Sequence, residues 1–365
     1  MSFEPIQTRV KLSYMSTGSG DFESLIPDML SFTYDDKETN EADEISFVLK
    51  DPTGKWADSL TPHAGAAVGA SIVMGTVSTN TRNIYCGKFY IDTMRVSGSP
   101  RTFEVRAVSI PLNKPIRRRL KSKAWEKTTL KAIAQAVAKD AGVKLIFDSK
   151  ENPSFDRQDQ KRESDLKFLS RLCEEAGLSL KVTDEQVVIF DQMSYETKTP
   201  VKTLTLGESP ILSWSFEAQQ SETYKSCTVS YRDPKQKSAS SAGGFYMTEA
   251  EKEAYKKSKN AAVMTYTYVD PLADENGQEY ALKKRATSVA EAERLAKAQL
   301  RKLNARRLTG SITCVGDVAL LAGAVIECKG FGSFDGNFII EQATHSVSGS
   351  GYTTSINLRR VNSSF

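Results

Sequence analysis

Apolar and polar residues alternate through the first part of the chain, in TRVKLSY (8–14), MLSFTYD (29–35), ISFVLKD (45–51), KFYIDTMRV (88–96) and RTFEVRAVS (101–109). A period of two buries one face of each strand and wets the other, as in an antiparallel barrel or sandwich. Pro52-Thr53-Gly54 and Gly98-Ser99-Pro100 supply turns between them. Residues 112–124, LNKPIRRRLKSKA, break the alternation and are expected to link two domains.

The period then changes. In TTLKAIAQAVAKDAG, Thr128 or Thr129 can cap a helix whose stripe is Leu130, Ile133, Ala134 and Val137; Gly142 stops it before the strand VKLIFD. The same grammar recurs in RESDLKFLSRLCEEAG (162–177). Ser164 is the expected N-cap, Asp165 sits where the helix dipole favours a negative charge, and Leu166, Leu169, Leu172, Cys173 and Ala176 form the core stripe. Gly177 ends that helix, and LSLKVTDEQVVIFD reads as a hairpin turning at 184–186. Alternation returns from 201 in VKTLTLG, ILSWSFEAQ and YKSCTVSYRD, and again after 306 to the end. Between these stretches lie a low-complexity run (235–244), a polar helix-prone segment (248–262), the strand-like VMTYTYV and a helix opened by a Ser288/Glu291 capping box. The expected organisation is therefore a β domain over 1–111, an α+β domain over 112–200, a second β domain made of 201–232 and 306–365, and a partly helical insertion over 233–305.

Composition narrows the function classes. With 39% hydrophobic and 26% charged residues and a net charge of +4 over 365 residues, nothing marks a dedicated nucleic-acid binder. Five cysteines, no two closer than 14 positions, give neither a CxxC motif nor a secreted disulfide framework. The start has no signal-peptide pattern, and no apolar run is long enough to span a membrane. Soluble expression in a host cytoplasm without membrane insertion is the expectation.

Candidate chemistry is sparse. The two histidines, His63 and His345, lack Cys or His partners at ligand spacing, so neither a metal nor another cofactor is expected. Glu174 and Glu175 are the tempting carboxylates. Adjacent helix positions diverge by about 100°, so the two do not converge on one bond; with Lys167 and Arg171 nearby they read as a solvated, ion-paired face. The run 114–131 carries eight Lys or Arg against one Glu, with Arg117, Arg118 and Arg119 as interface candidates. Trp125 is its only aromatic residue, so interleaved stacking residues for single-stranded nucleic acid are missing. The glycines of GFGSFDG lie between strands and suit a hairpin connection with Asp335-Gly336 at the turn, not a phosphate loop.

Four segments, taken in order, resemble the baseplate hub proteins of contractile-tailed bacteriophages (the late control protein D family), relatives of the hub part of VgrG spikes. The first is CGKFYIDTMRVSGSPRTFEVRAVSIP, with Phe89, Ile91 and Asp92; the second is RLKSKAWEKTTLKAIAQAVAKDAGVKLIFD, with Trp125, Glu126 and Leu130. The third is QKRESDLKFLSRLCEEAGLSLKV, with Ser164, Asp165, Leu166, Leu169, Leu172 and Gly177; the closing strands bring Gly336, His345 and Tyr352. The resemblance implies a mainly β fold: two related antiparallel β-barrel domains, an α+β domain and a helix-containing insertion. It also implies a homotrimer with six similar barrels in a ring, tail tube above and spike below, other baseplate proteins around it, and no reaction to catalyse. A tail-associated cell-wall hydrolase is the alternative, and a tail protein contacting nucleic acid through 114–131 a weaker one. The segment 233–286 matches no pattern of the family.

Overall fold

The computed structural model describes residues 7–14, 27–39, 41–58, 61–75, 82–110, 116, 119–183, 185–219, 223–232, 263–271, 273 and 277–361. The chain divides into two compact units, one comprising Met1–Cys173, Ser179–Glu217 and Thr309–Val361, the other Glu174–Leu178 and Ala218–Leu308.

The first unit begins with β1 (Gln7–Tyr14), β2 (Met29–Lys37), β3 (Glu44–Lys50), β4 (Ala67–Gly75), β5 (Arg82–Ser97) and β6 (Thr102–Val108). They lie in the order β1-β4-β5-β6-β3-β2, all antiparallel. One face of every strand feeds a single core, including Leu12, Phe32, Phe47, Ile72, Phe89 and Val105. A sheet that buries the same face along all its strands curls around it, which is the barrel-like arrangement expected from the alternation. β4 gave no signal because Val68, Gly69 and Ala70 are buried in succession, without a period of two.

The α+β part follows. β7 (Lys121–Thr129) pairs antiparallel with β9 (Ser154–Glu163), so the expected linker 112–124 ends inside a strand. Its mostly exposed polar side chains hid it from the hydrophobic pattern. Helix α1 (Leu130–Ala141) is capped by Thr129, whose Oγ1 accepts from Ala132 N at 3.3 Å, and closes on Gly142 with φ +66°. β8 (Lys144–Asp148) pairs parallel with β11 (Gln186–Phe190), which forms the expected hairpin with β10 (Ser179–Val182). Helix α2 (Asp165–Ala176) lies between β9 and β10, and the short α3 (Gln192–Glu196) follows β11.

β12 (Lys202–Thr205) and β13 (Ile211–Ala218) then lead out to the second unit. There β14 (Tyr224–Arg232) is flanked by β15 (Val263–Val269) and β16 (Gln278–Ala286), and α4 (Val289–Asn304) covers the sheet with Ala292, Leu295, Ala296 and Leu300. The sequence placed 201–232 wholly with the closing strands, but β14 belongs to this separate sheet. Cys227 and Val229 point at α4, and period two alone cannot say which sheet a strand joins. The capping box is present in shifted form: Ser288 Oγ accepts from Glu291 N at 3.2 Å, while Glu291 Oε2 accepts from Thr287 N at 2.8 Å. The runs 235–244 and 248–262 lie outside the described residues.

The chain returns to the first unit as β17 (Leu308–Val315), β18 (Val325–Lys329), β19 (Gly336–Ser348) and β20 (Gly351–Arg360). These pair in the order β12-β18-β19-β20-β17-β13, matching β1-β4-β5-β6-β3-β2 position for position. The one departure is that β12 runs parallel to β18 where β1 runs antiparallel to β4. Detail repeats as well as order. β5 shifts register against β6 between Ile91 and Thr93, and β19 against β20 between Ile340 and Gln342. Ile91 N donates to Ala66 O at 3.0 Å and Gly65 N to Ile91 O at 2.8 Å; Ile340 N donates to Ala324 O and Gly323 N to Ile340 O at the same two distances. The halves meet through β2 and β19, which pair antiparallel and make one 12-stranded sheet.

Candidate functional site

The third family-like segment folds as a packing helix. Ser164 Oγ accepts from Lys167 N at 3.3 Å, as an N-cap should. Asp165 is buried and takes Lys121 Nζ at 2.6 Å and Gln160 Nε2 at 2.9 Å. Leu169, Leu172 and Cys173 are fully buried, but Leu166 is only half-buried; Phe168 occupies the core in its stead and stacks on Trp125 with centroids 6.3 Å apart. Gly177 takes φ +71°, the left-handed conformation that ends the helix.

Glu174 and Glu175 hold cations from distant parts of the sequence, Lys302 on α4 at 2.7 Å and Lys284 on β16 at 2.5 Å. The cations expected beside them, Lys167 and Arg171, lie on the helix itself, and Arg171 reaches Glu163 of β9 at 2.9 Å. In the basic run, Arg117 and Arg118 lie outside the described residues and Arg119 is exposed. Lys121 bridges Asp140 and Asp165, Lys123 lies 3.6 Å above the Trp125 ring, and Glu126 pairs with Arg157 at 3.5 Å. These contacts tie Lys121, Lys123 and Glu126 of the run into the α+β part.

Among the described residues no group of three or more His, Cys, Asp or Glu could hold a metal ion. No helix there is long and apolar enough to cross a membrane. All five cysteines are free and buried. Burial pushes the thiols of Cys86 and Cys328 up to about 12 and those of Cys227 and Cys314 up to about 11, far from a thiolate nucleophile at neutral pH.

Charge concentrates instead where the two β halves and the α+β part meet, all within the first unit. Lys181 on β10 sends Nζ to Asp36 Oδ1 at 2.9 Å, to Asp43 Oδ1 at 3.3 Å and to Lys37 O at 2.9 Å. Asp36 Oδ2 accepts from Ala322 N of the second half at 2.9 Å, so one carboxylate binds all three parts. Burial opposes charge on Lys181, but Asp36 and Asp43 outweigh it and hold the ammonium above its ordinary range. A second node centres on Arg359 of β20, which meets Glu196 of α3 at 2.7 Å, Glu341 at 3.4 Å and Glu38 at 3.6 Å; Gln192 Nε2 donates to Glu38 at 2.8 Å. Burial raises the Glu38 and Asp43 carboxyls despite these cations. No motif announced these residues. The available signal was six acids within residues 35–44, at 35, 36, 38, 41, 43 and 44, around one strand end of an otherwise apolar barrel.

His345 lies at the same seam, fully buried in β19 opposite Tyr34 of β2. Its Nδ1 is 2.7 Å from Tyr352 Oη and its ring stacks on Tyr34 at 5.9 Å. Burial lowers its pKa, so the neutral imidazole serves as a polar packing group. Tyr352 lies over Gly316, where any side chain would enter the ring. Phe89 and Ile91 are core residues, whereas Asp92, at the register shift of β5, is exposed. Gly336 (φ +135°) starts β19 as Asp335 Oδ1 accepts from Phe331 N at 2.6 Å, completing the expected turn.

The sequence profile of the phage tail baseplate hub (GPD) family matches residues 84–351. A probable baseplate hub protein of Escherichia phage 186 is 25% identical over 363 residues, covering 94% of this chain and 91% of its own. Among solved structures, the 43 kDa tail protein of prophage MuSo2 from Shewanella oneidensis superposes with a TM-score of 0.68 at 13% identity, over 97% of this chain and 98% of that one. An E. coli type VI secretion component, described as structurally similar to the T4 bacteriophage tail proteins gp27 and gp5, gives 0.52 at 15% identity over 97% and 78%.

Proposed function

The chain belongs to the phage tail baseplate hub family and is a hub protein of a phage or phage-like tail, and we propose that three copies close into a ring joining tail tube to central spike. The observation that carries this reading is the repeated strand order. One chain holds two alike β halves, so three chains supply six similar units around a threefold axis. Such a ring presents a near-sixfold face to a hexameric tube and a threefold face to a trimeric spike, a match that closed heterologous contacts can build.

In this reading the protein binds and matches, and catalyses nothing. The ion pairing of Glu174 and Glu175 supports that, since their carboxylates are committed to Lys302 and Lys284. The parts are a first β half, the α+β part, a second β half returning at 309, and an inserted unit that starts near 218. The charged junction around Asp36 and Arg359 locks the first three together.

Light scattering on the purified chain, and co-purification with a co-expressed tail spike protein, test the proposal. A mass three times the 40.3 kDa chain, or a stable complex with spike, is expected. A single-chain mass at every concentration together with no binding to spike or tube protein refutes it.

A further inference from the structure

The repeat assigns one strand contact that the single chain leaves unmade. On β19 one side is taken by β20; the other side is shared by β18, along 336–339, and β2, along 342–348. On β5 one side is taken by β6, and the other by β4 only as far as Tyr90. Beyond the register shift, Thr93–Ser97 pairs with no second strand among the described residues, and Val96 is 49% exposed. That is the place where, in the other half, β2 docks.

The counterpart of β2 is β13, the last strand of the sheet. Gln219 N donates to Arg307 O at 2.9 Å, which sets Phe216 opposite Gly310, as Tyr34 is opposite Ile45. The sequences then superpose without a gap, MLSFTYDD (29–36) on ILSWSFEA (211–218), and likewise AGAAV (64–68) on AGAVI (322–326) and GKFYID (87–92) on GNFIIE (336–341). Exposure is where the two strands differ. Phe32 is fully buried and Tyr34 nearly so, in a core that Val318, Leu321, Val347 and Tyr352 of the second half complete. Their counterparts are only partly covered: Trp214 and Phe216 pack on Phe331, with centroids 5.3 and 5.1 Å away, yet Trp214 stays 48% exposed and Phe216 half-buried, and Leu212 beside them is 59% exposed. An open strand edge with large apolar side chains is a surface that folded proteins cover.

Resting on the ring reading above, we infer that β13 of one copy pairs antiparallel with Thr93–Ser97 of the next, in the register by which β2 pairs with β19. Tyr34 opposite His345 becomes Phe216 opposite Val96, an apolar cross-strand pair. Asp35 opposite Thr344 becomes Glu217 opposite Arg95, and Thr33 opposite Ser346 becomes Ser215 opposite Ser97. The Asp35–Thr344 hydrogen bond, 2.5 Å, is thus replaced between copies by an ion pair. Each chain gives one such edge and receives one, so three contacts close the ring without a leftover edge of this kind.

Cross-linking tests the pairing. In the full chain carrying both Ser97→Cys and Ser215→Cys, mild oxidation should give disulfide-linked dimers and trimers with trimer the largest product; either single variant should not. The native thiols are buried and should stay silent. Independently, Glu217→Arg should weaken trimer formation at least tenfold, Arg95→Glu likewise, and the two together should restore it. A trimer that neither cross-links through this pair nor responds to the charge reversals overturns the pairing while leaving the ring. A wild-type chain that stays monomeric overturns both.

Discussion

The buried charges at the seam are where single residues matter most. Replacing Lys181 by Met leaves Asp36 and Asp43 facing each other without their cation. Breaking a buried pair from one side costs about 3–5 kcal/mol, so Lys181→Met should lose that much in urea unfolding. Glu38 gives a pH test with a defined sign. Its carboxyl is raised in the folded chain, so the fold holds that proton more tightly than the unfolded chain does. The stabilisation this supplies is complete below the unfolded value of 4.5 and is lost as pH rises through the folded one. The stability of wild type relative to Glu38→Gln should therefore be greatest at low pH and shrink toward neutrality; a gap that widens with pH would contradict the assignment. These residues were the least legible in the sequence, because Asp36, Lys181 and Ala322 are brought together only by tertiary packing.

Elements were easier. Caps and stops at Thr129, Gly142, Ser164 and Gly177 are local chemistry, and they appear where the sequence placed them. Strands that alternate were found; β4, buried over three successive residues, and β7, nearly all polar, were not. In α2 the stripe was right at Leu169, Leu172 and Cys173 but gave Leu166 the place that Phe168 fills. Two substitutions on this helix should separate its faces. Leu169→Ala opens a cavity in a fully buried site and should cost about 2–5 kcal/mol in thermal or chemical unfolding. Glu174→Gln removes one exposed ion pair and should change stability by less than about 1 kcal/mol, with spike binding intact. Loss of a cell-wall clearing activity in Glu174→Gln would instead favour the hydrolase alternative.

At the scale of the molecule, the family resemblance implied two related barrels, but the letters alone did not show which strands correspond. MLSFTYDD and ILSWSFEA share chemistry at most positions, yet they stand 182 residues apart with an α+β part between them. Shared strand order and the matching register shifts at Ile91 and Ile340 supplied the alignment that makes the repeat visible. The same repeat explains why one half is finished and the other open, since β2 pairs on its far edge with β19, whereas β13 ends the strand order among the described residues. In the proposed ring, three chains would place all six halves in like positions. Electron-microscopic views of the purified protein down its symmetry axis test that claim most directly. The account expects threefold particles with six similar lobes around a central opening; a ring of another copy number, or particles without rotational symmetry, would contradict it.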